Sequence, residues 1–251
     1  MVAPRDFSLP FLKKEQIAHD AYSFYFSAKG GPPASPAGGS GWDFLPGQFV
    51  RMTLDVPNPD ERGNSRTFSI ASSPLEKDYL MITTRIIQSA FKKTLANLTP
   101  GVEVKFFGPN GRFVFDENET KPHIFLAGGI GITPFRSMLV FAAAKNLSTR
   151  ITLFVSFSKI EEVAFHEKLT GISGDHPNIK TIYTVTHSEG SSWQGETGRI
   201  SEELIKEYCP DFSTSLFYIS GPPAMVDGMI EIVKNLNVPD DQVRKEKFVG
   251  Y

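Results

Sequence analysis

HIFLAGGIGITPFRSMLVFAAAK, residues 123–145, decides the class of the second half of this chain. An apolar run ends at Ala127, glycines follow at 128, 129 and 131, and Pro134 stands where the first residue of a helix belongs. Glycine lets backbone approach a ligand closely, and proline at that position forfeits no helical hydrogen bond. Free N–H groups at the positive end of a helix suit an anion such as a pyrophosphate, with Thr133 adding a hydroxyl donor. Pro134 takes the third glycine position of the usual G-x-G-x-x-G pattern, and a turn made only for packing would carry similar glycines.

Downstream the same alternation repeats: ITLFVSF (151–157) before EEVAFHEKL (161–169), then IKTIYTVT (179–186), then LFYIS (216–220) before GPPAMVDGMIEIVKNL (221–236). Apolar strands alternating with amphipathic helices predict a doubly wound parallel sheet, a nucleotide-binding α/β domain over 119–251. Upstream the punctuation differs. Short runs at SFYF (23–26), QFVRMTL (48–54), RTFSIAS (66–72), YLMITTRI (79–86), VEVKFFG (102–108) and RFVF (112–115) predict an antiparallel six-stranded β-barrel over residues 1–118. KGGPPASPAGGSG (29–41) reads as an exposed barrel loop. SAFKKTLANLTPG (89–101) reads as one short helix, with Ser89 as N-cap, Phe91, Leu95 and Leu98 on one face, and Pro100-Gly101 as the stop. There is no internal repeat.

At 251 residues, 40% hydrophobic and 22% charged, the chain can bury two cores without disulfides or metal. The 21 phenylalanines are the unusual part of the composition. A formal net charge of -2 gives no global basic field and argues against nucleic acid as the main partner. A single cysteine, Cys209, rules out an internal disulfide or a four-cysteine cluster in this chain. Neither a signal-like stretch nor an apolar run of membrane-spanning length is present, so a cytoplasmic protein without membrane insertion, and a monomer, is expected.

RTFSIASS (66–73), preceded by PGQF (46–49), carries the chemistry of the first half. In a strand Arg66, Phe68 and Ile70 share one face and Thr67, Ser69 and Ala71 the other. A guanidinium clamps a diphosphate bidentately, and an aromatic ring beside it offers a stacking surface for a flat heterocycle. An edge strand with an exposed Arg and a core Phe would read the same way.

Taken in order, Pro46–Phe49, Arg66–Ser72, Leu98–Gly101, Gly108–Phe113, Gly129–Pro134 and Ser220–Met225 match PGQF, R-x-[YF]-S-[IL]-A-S, L-x-x-G, G-P-x-G-x-F, G-G-[IT]-G-[IL]-T-P and S-G-P-P-x-M. The chain thereby resembles the ferredoxin–NADP reductase superfamily of flavin oxidoreductases over roughly residues 10–251. That resemblance implies an FAD-binding barrel followed by an NAD(P)-binding domain, with NADPH or NADH as hydride donor. It implies that Arg66 binds the FAD phosphates, with Thr67 beside it, that Phe68 stacks on the flavin, and that Ser69 hydrogen-bonds near flavin N5. Backbone at Ala90, Phe91 and Lys92 would serve the FAD pyrophosphate, although a solvated helix face explains Lys92 and Lys93 equally well. Gly129, Gly131 and Thr133 would receive the nicotinamide dinucleotide pyrophosphate. Gly221, Pro222, Pro223 and Met225 would lie under its nicotinamide. Ser69 and Ser220 are the residues placed at the reacting atoms, and neither need act as acid or base.

Departures from the pattern are Phe68 where Tyr is common, Ser220 where Cys is frequent, and the EKFVGY terminus, whose Phe248 or Tyr251 could cover a flavin face or merely pack on the barrel. For the far end of the dinucleotide, Lys159, His187 and Ser188 suit a 2′-phosphate, whereas Glu189 suits a free ribose. His19, His123, His166 and His176 have no metal-ligand spacing and are expected in surface or capping roles, with Glu162 and His166 a solvated pair on one helix. The resemblance implies a reductase that hands electrons to a carrier protein of ferredoxin, flavodoxin or rubredoxin type. Reduction of a small acceptor such as a ferric chelate or quinone, or service as an electron-transfer module of a larger redox complex, are the alternatives.

Overall fold

The computed structural model describes residues 3–29, 43–189 and 192–249. The chain divides into two compact units, residues 1–115 and 116–251. The predicted loop at 29–41 lies almost wholly outside the described residues, as does Tyr251.

The first unit comprises β1 (Arg5–Ala18), β2 (Ala21–Ser27), β3 (Phe49–Thr53), β4 (Ser65–Ser69), β5 (Tyr79–Arg85), α1 (Ala90–Ala96) and β6 (Glu103–Asn110). Its strands form an antiparallel sheet in the order β4-β3-β6-β1-β2-β5. The two end strands meet through a bridge between Ile70 and Ile82 and the hydrogen bond from Ala71 N to Met81 O at 2.8 Å, which closes the barrel. Six strands were expected and six are found, but they are not the same six. RFVF is not a strand; Phe113 and Phe115 are buried in irregular chain, with Phe115 N bonded to Pro46 O. The strand missed is β1, whose Pro10 reads as a breaker. Its register with β6 ends at Pro10 and its register with β2 begins at Phe11, so the missing N–H falls where the strand changes partners.

Alternation along β1, β2 and β6 sends phenylalanines into the barrel. Phe106 stacks on Phe7 at 5.4 Å and meets Phe26 edge-on at 5.0 Å, and Phe11 packs on Phe26 at 5.6 Å. Phe91 and Leu95 of α1 enter the same core. Ser89 caps α1 as expected, accepting from Lys92 N at 3.2 Å.

The second unit comprises β7 (His123–Gly128), a 3₁₀ turn (Gly129–Ile132), α2 (Thr133–Ala144), β8 (Ile151–Phe157), α3 (His166–Asp175), β9 (Ile179–Val185), β10 (Glu196–Thr197), α4 (Glu202–Tyr208), β11 (Leu216–Gly221), α5 (Pro223–Asn235) and β12 (Val243–Lys247). Its sheet is parallel, in the order β10-β9-β8-β7-β11-β12. Ile124, Leu126, Phe217 and Ile219 pack with residues of α4 and α5 on one face, while Phe125 stacks on Phe135 of α2 at 4.7 Å on the other. The sheet is doubly wound. With both faces covered, β7, β8 and β11 are buried along their whole length, which is why they read as continuous apolar runs. α2 is buried from Thr133 to Ala143 and is not amphipathic.

Two histidine readings are corrected. His123 is 1% exposed, the first residue of β7, stacked on Tyr218 at 5.6 Å, and burial lowers its pKa. Glu162 and His166 do not share a helix: Phe165, at φ 58°, separates a 3₁₀ turn from α3.

Phe106 is 2% exposed, and Phe106→Ala is expected to cost about 3–5 kcal/mol of stability. Chemical denaturation followed by circular dichroism measures it; a loss well under 1 kcal/mol would contradict the packing described.

Candidate functional site

In the first unit β4 and α1 bring a charged pair and an aromatic pair together. Phe68, on β4, lies 6.0 Å from Phe91 of α1. The Arg66 guanidinium sits over the Phe91 ring at 5.0 Å, and the Lys92 ammonium over the Phe68 ring at 5.1 Å. Each ring's negative face thus meets a cation. Thr67 points to the opposite, exposed side, and Ser69 is buried at the end of β4, opposite Phe49.

Arg66 is 7% exposed. Its Nη1 donates to the carbonyls of Arg62, Gly63 and Ser65 at 2.8–3.0 Å, and its Nη2 to both carboxylate oxygens of Asp60 at 2.6 and 2.8 Å. That bond holds the Asp60 carboxyl below its ordinary value. Of the guanidinium expected to face a diphosphate, Nη2 is therefore held by Asp60 and Nη1 by backbone carbonyls. Sequence reading passed over Asp60 although the signal was present, an acid inside the turn-forming stretch PNPDERGN just before the arginine.

Lys92 is 8% exposed, so the solvated-face alternative is excluded for it, while its neighbour Lys93 is exposed. Its Nζ donates to Thr84 Oγ1, and among the described residues no carboxylate pairs with it. Burial first, and then the positive charges of Arg62 and Arg66, hold the ammonium down to about 7. Lys92 N–H is already taken by the Ser89 cap. Neither Arg62 nor Thr84 was singled out from sequence, because only the return of α1 over β5 brings them to Lys92.

In the second unit strand order reverses between β7 and β11, the place where open α/β sheets bind ligands beyond the carboxyl ends of their strands. The glycine turn after β7 and the Ser220–Met225 turn after β11 meet there. A methyl group on Gly131 would stand 2.3 Å from Ser220 O and 2.6 Å from Gly221 Cα; one on Gly128 would stand 1.7 Å from Met225 Sδ. Ser220 is fully buried, and its hydroxyl has no hydrogen-bond partner among the described residues. A buried orphan hydroxyl is costly unless a ligand satisfies it. Thr133 differs from expectation, since its hydroxyl donates to Ile130 O at 3.1 Å. At the ends of β8 and β9, His187 N–H donates to Ser158 O at 2.9 Å, which sets His187 and Ser188 beside Lys159. Lys159, His187 and Glu189 are exposed there. Phe248 N–H donates to Gly221 O at 2.9 Å, tying the end of the described chain to the β11 turn.

Residues 125–231 match the oxidoreductase NAD-binding domain family. The chain is 28% identical over 225 residues to ferredoxin–NADP reductase B of Sorangium cellulosum, covering 84% of this chain and 88% of that one. The chain is thus similar to ferredoxin–NADP reductases over most of its length, and to the oxidoreductase NAD-binding domain family within its second unit. A flavohemoprotein of Pseudomonas putida is 29% identical over 247 residues, 97% of this chain, and this chain spans 59% of its length. The flavohem-like FAD/NAD-binding domain of nitric oxide dioxygenase from Vibrio cholerae shares the fold, with a TM-score of 0.81 at 18% identity over 97% of this chain and 99% of that domain.

In the first unit a buried lysine with no acid beside it among the described residues is a measurable liability. Its folded-state pKa lies below the unfolded value, so the penalty is complete below about pH 7 and fades as pH rises toward the unfolded lysine pKa. Lys92→Met is therefore expected to raise the Tm of the ligand-free protein by roughly 5–10 °C near neutral pH, with the gain shrinking in alkali. A gain independent of pH, or a loss, in scanning calorimetry would contradict this account of Lys92.

Proposed function

We propose that the protein is an FAD-dependent NAD(P)H oxidoreductase that accepts hydride from NADPH or NADH and passes electrons to a carrier protein of ferredoxin, flavodoxin or rubredoxin type. The observation that carries this reading is the meeting of two turns at the β7/β11 reversal, with the orphan Ser220 hydroxyl buried beside them. Side-chain-free backbone at Gly129 and Gly131 accommodates a pyrophosphate at the start of α2, and Ser220 is left with a hydrogen bond to give. Gly221, Pro222 and Met225 form the floor for the nicotinamide. On the barrel, Arg66 and Lys92 supply positive charge for the flavin diphosphate, Phe68 supplies a packing surface, and Ser69 sits at the end of the same strand. When bound, the nicotinamide supplies hydride and the flavin receives it at N5 and releases electrons onward. What the chain contributes is placement, and no side chain has to move a proton.

Lys159, His187 and Ser188 are read as the contacts of a 2′-phosphate, and Glu189 as the acceptor for a free 2′-hydroxyl. A second reading, an electron-transfer module within a larger redox complex, is favoured by one observation: the flavohemoprotein relative extends well beyond the length this chain spans. High turnover with an artificial acceptor, a ferric chelate or a quinone supports the free-standing reductase, whereas bound FAD with negligible turnover supports the module.

Anaerobic stopped-flow mixing with NADH and with NADPH tests the proposal. Bleaching of the bound flavin is expected with at least one of them, and a preference for NADPH is expected to fall by about tenfold in Lys159→Ala combined with His187→Ala and Ser188→Ala. A colourless protein that takes up neither FAD nor FMN would overturn the function, and a preference that survives the triple substitution would overturn the phosphate site.

A further inference from the structure

We propose that FAD binding takes up one proton at Lys92, whose buried ammonium completes the charge of a diphosphate subsite shared with Arg66 and Arg62. This rests on the flavin reading above and adds to it a measurable linkage between ligand and proton.

Two cations flank the Phe68–Phe91 pair from different elements, and a third, the exposed Arg62, lies within electrostatic reach. Arg66 comes from β4, Lys92 from α1, and Arg62 from the turn before β4, near enough for its charge to act on both Lys92 and Asp60. Asp60 is the carboxylate of the cluster, and Arg66 holds it in a two-point bond. The other groups facing Lys92 are neutral: Thr84 Oγ1 from β5 and the ring of Phe68. Arg85, beside Thr84, is paired with Asp20, and Lys93 is turned to solvent. Lys92 is thus a buried cation with two further cations near it, an arrangement that makes its neutral amine accessible near neutral pH, by burial first and by their charge second.

A diphosphate reverses that balance. Its two negative charges would lie against Arg66, already paired with Asp60, and against Lys92, whose ammonium has no acid beside it among the described residues. The ligand therefore favours the ammonium, and where the free protein holds the neutral amine, binding must draw a proton from solvent. The direction is fixed: affinity is constant below about pH 7, where Lys92 is already charged, and falls above it by up to about tenfold per pH unit. FAD does not change its own charge over this range, because its diphosphate is strongly acidic and its flavin ring stays neutral.

The test is titration of the deflavinated full chain with FAD, followed by flavin fluorescence at steps between about pH 6 and about pH 9, with calorimetry at about pH 8 in two buffers of different ionisation heat. The expected result is a Kd that climbs through alkaline pH and uptake of about half to one proton at the calorimetric pH. Lys92→Arg, always charged, is expected to keep the acid-side affinity and lose the slope. Lys92→Met is expected to bind weakly and equally at every pH. A flat wild-type profile, or a slope that persists in both variants, would overturn the inference while leaving FAD binding intact. Failure to bind FAD at any pH would overturn the flavin reading itself, and the inference with it.

Discussion

Gly131 passes β11 with its Cα so close to the Ser220 carbonyl and to Gly221 that a single methyl group would occupy the same space as backbone. Backbone cannot step aside as a side chain can, so this contact fixes the turn after β7 against the turn after β11. Much of the second unit follows from it. The 3₁₀ turn leads into α2 at Thr133, Met225 lies across Gly128, and Ser220 is sealed beneath with its hydroxyl unsatisfied. The strand reversal between β7 and β11 opens the place for a ligand, and the glycine contact determines how narrow it is.

The first unit solves a different problem, holding positive charge inside an aromatic barrel. Asp60 satisfies Arg66, and the rings of Phe68 and Phe91 shelter both cations. Among the described residues no acid serves Lys92, and a charge so placed is tolerated only by partial neutralisation or by an anion from outside. Charge that is costly in the empty protein is charge available to a diphosphate.

Legibility in the sequence followed the physics of each feature. β7, β8 and β11 were readable because burial on both faces leaves mostly apolar residues, with polar exceptions such as His123, Thr152, Ser156 and Ser220. β1 was not, because Pro10 mimics a break and its harmlessness depends on two partner strands, β6 and β2, remote from it in the chain. RFVF looked like a strand because Phe113 and Phe115 alternate, yet alternation reports burial and not pairing. Among site residues, Gly131, Ser220 and Arg66 stood out by local pattern. Asp60 was legible in the turn just before Arg66 and was missed, whereas Arg62 and Thr84 carried no local signal, since they meet Lys92 only when α1 folds back. Thr133 was named for a hydroxyl that the turn itself uses.

Gly131→Ala tests the central contact most directly, with anaerobic reduction of the flavin by NAD(P)H as the readout and FAD content as the control. The predicted result is a protein that retains FAD on its barrel but is reduced about a hundredfold more slowly, because the turn that places the dinucleotide is displaced by about 1 Å. Reduction at the wild-type rate, with the protein folded and fully loaded, would contradict the account.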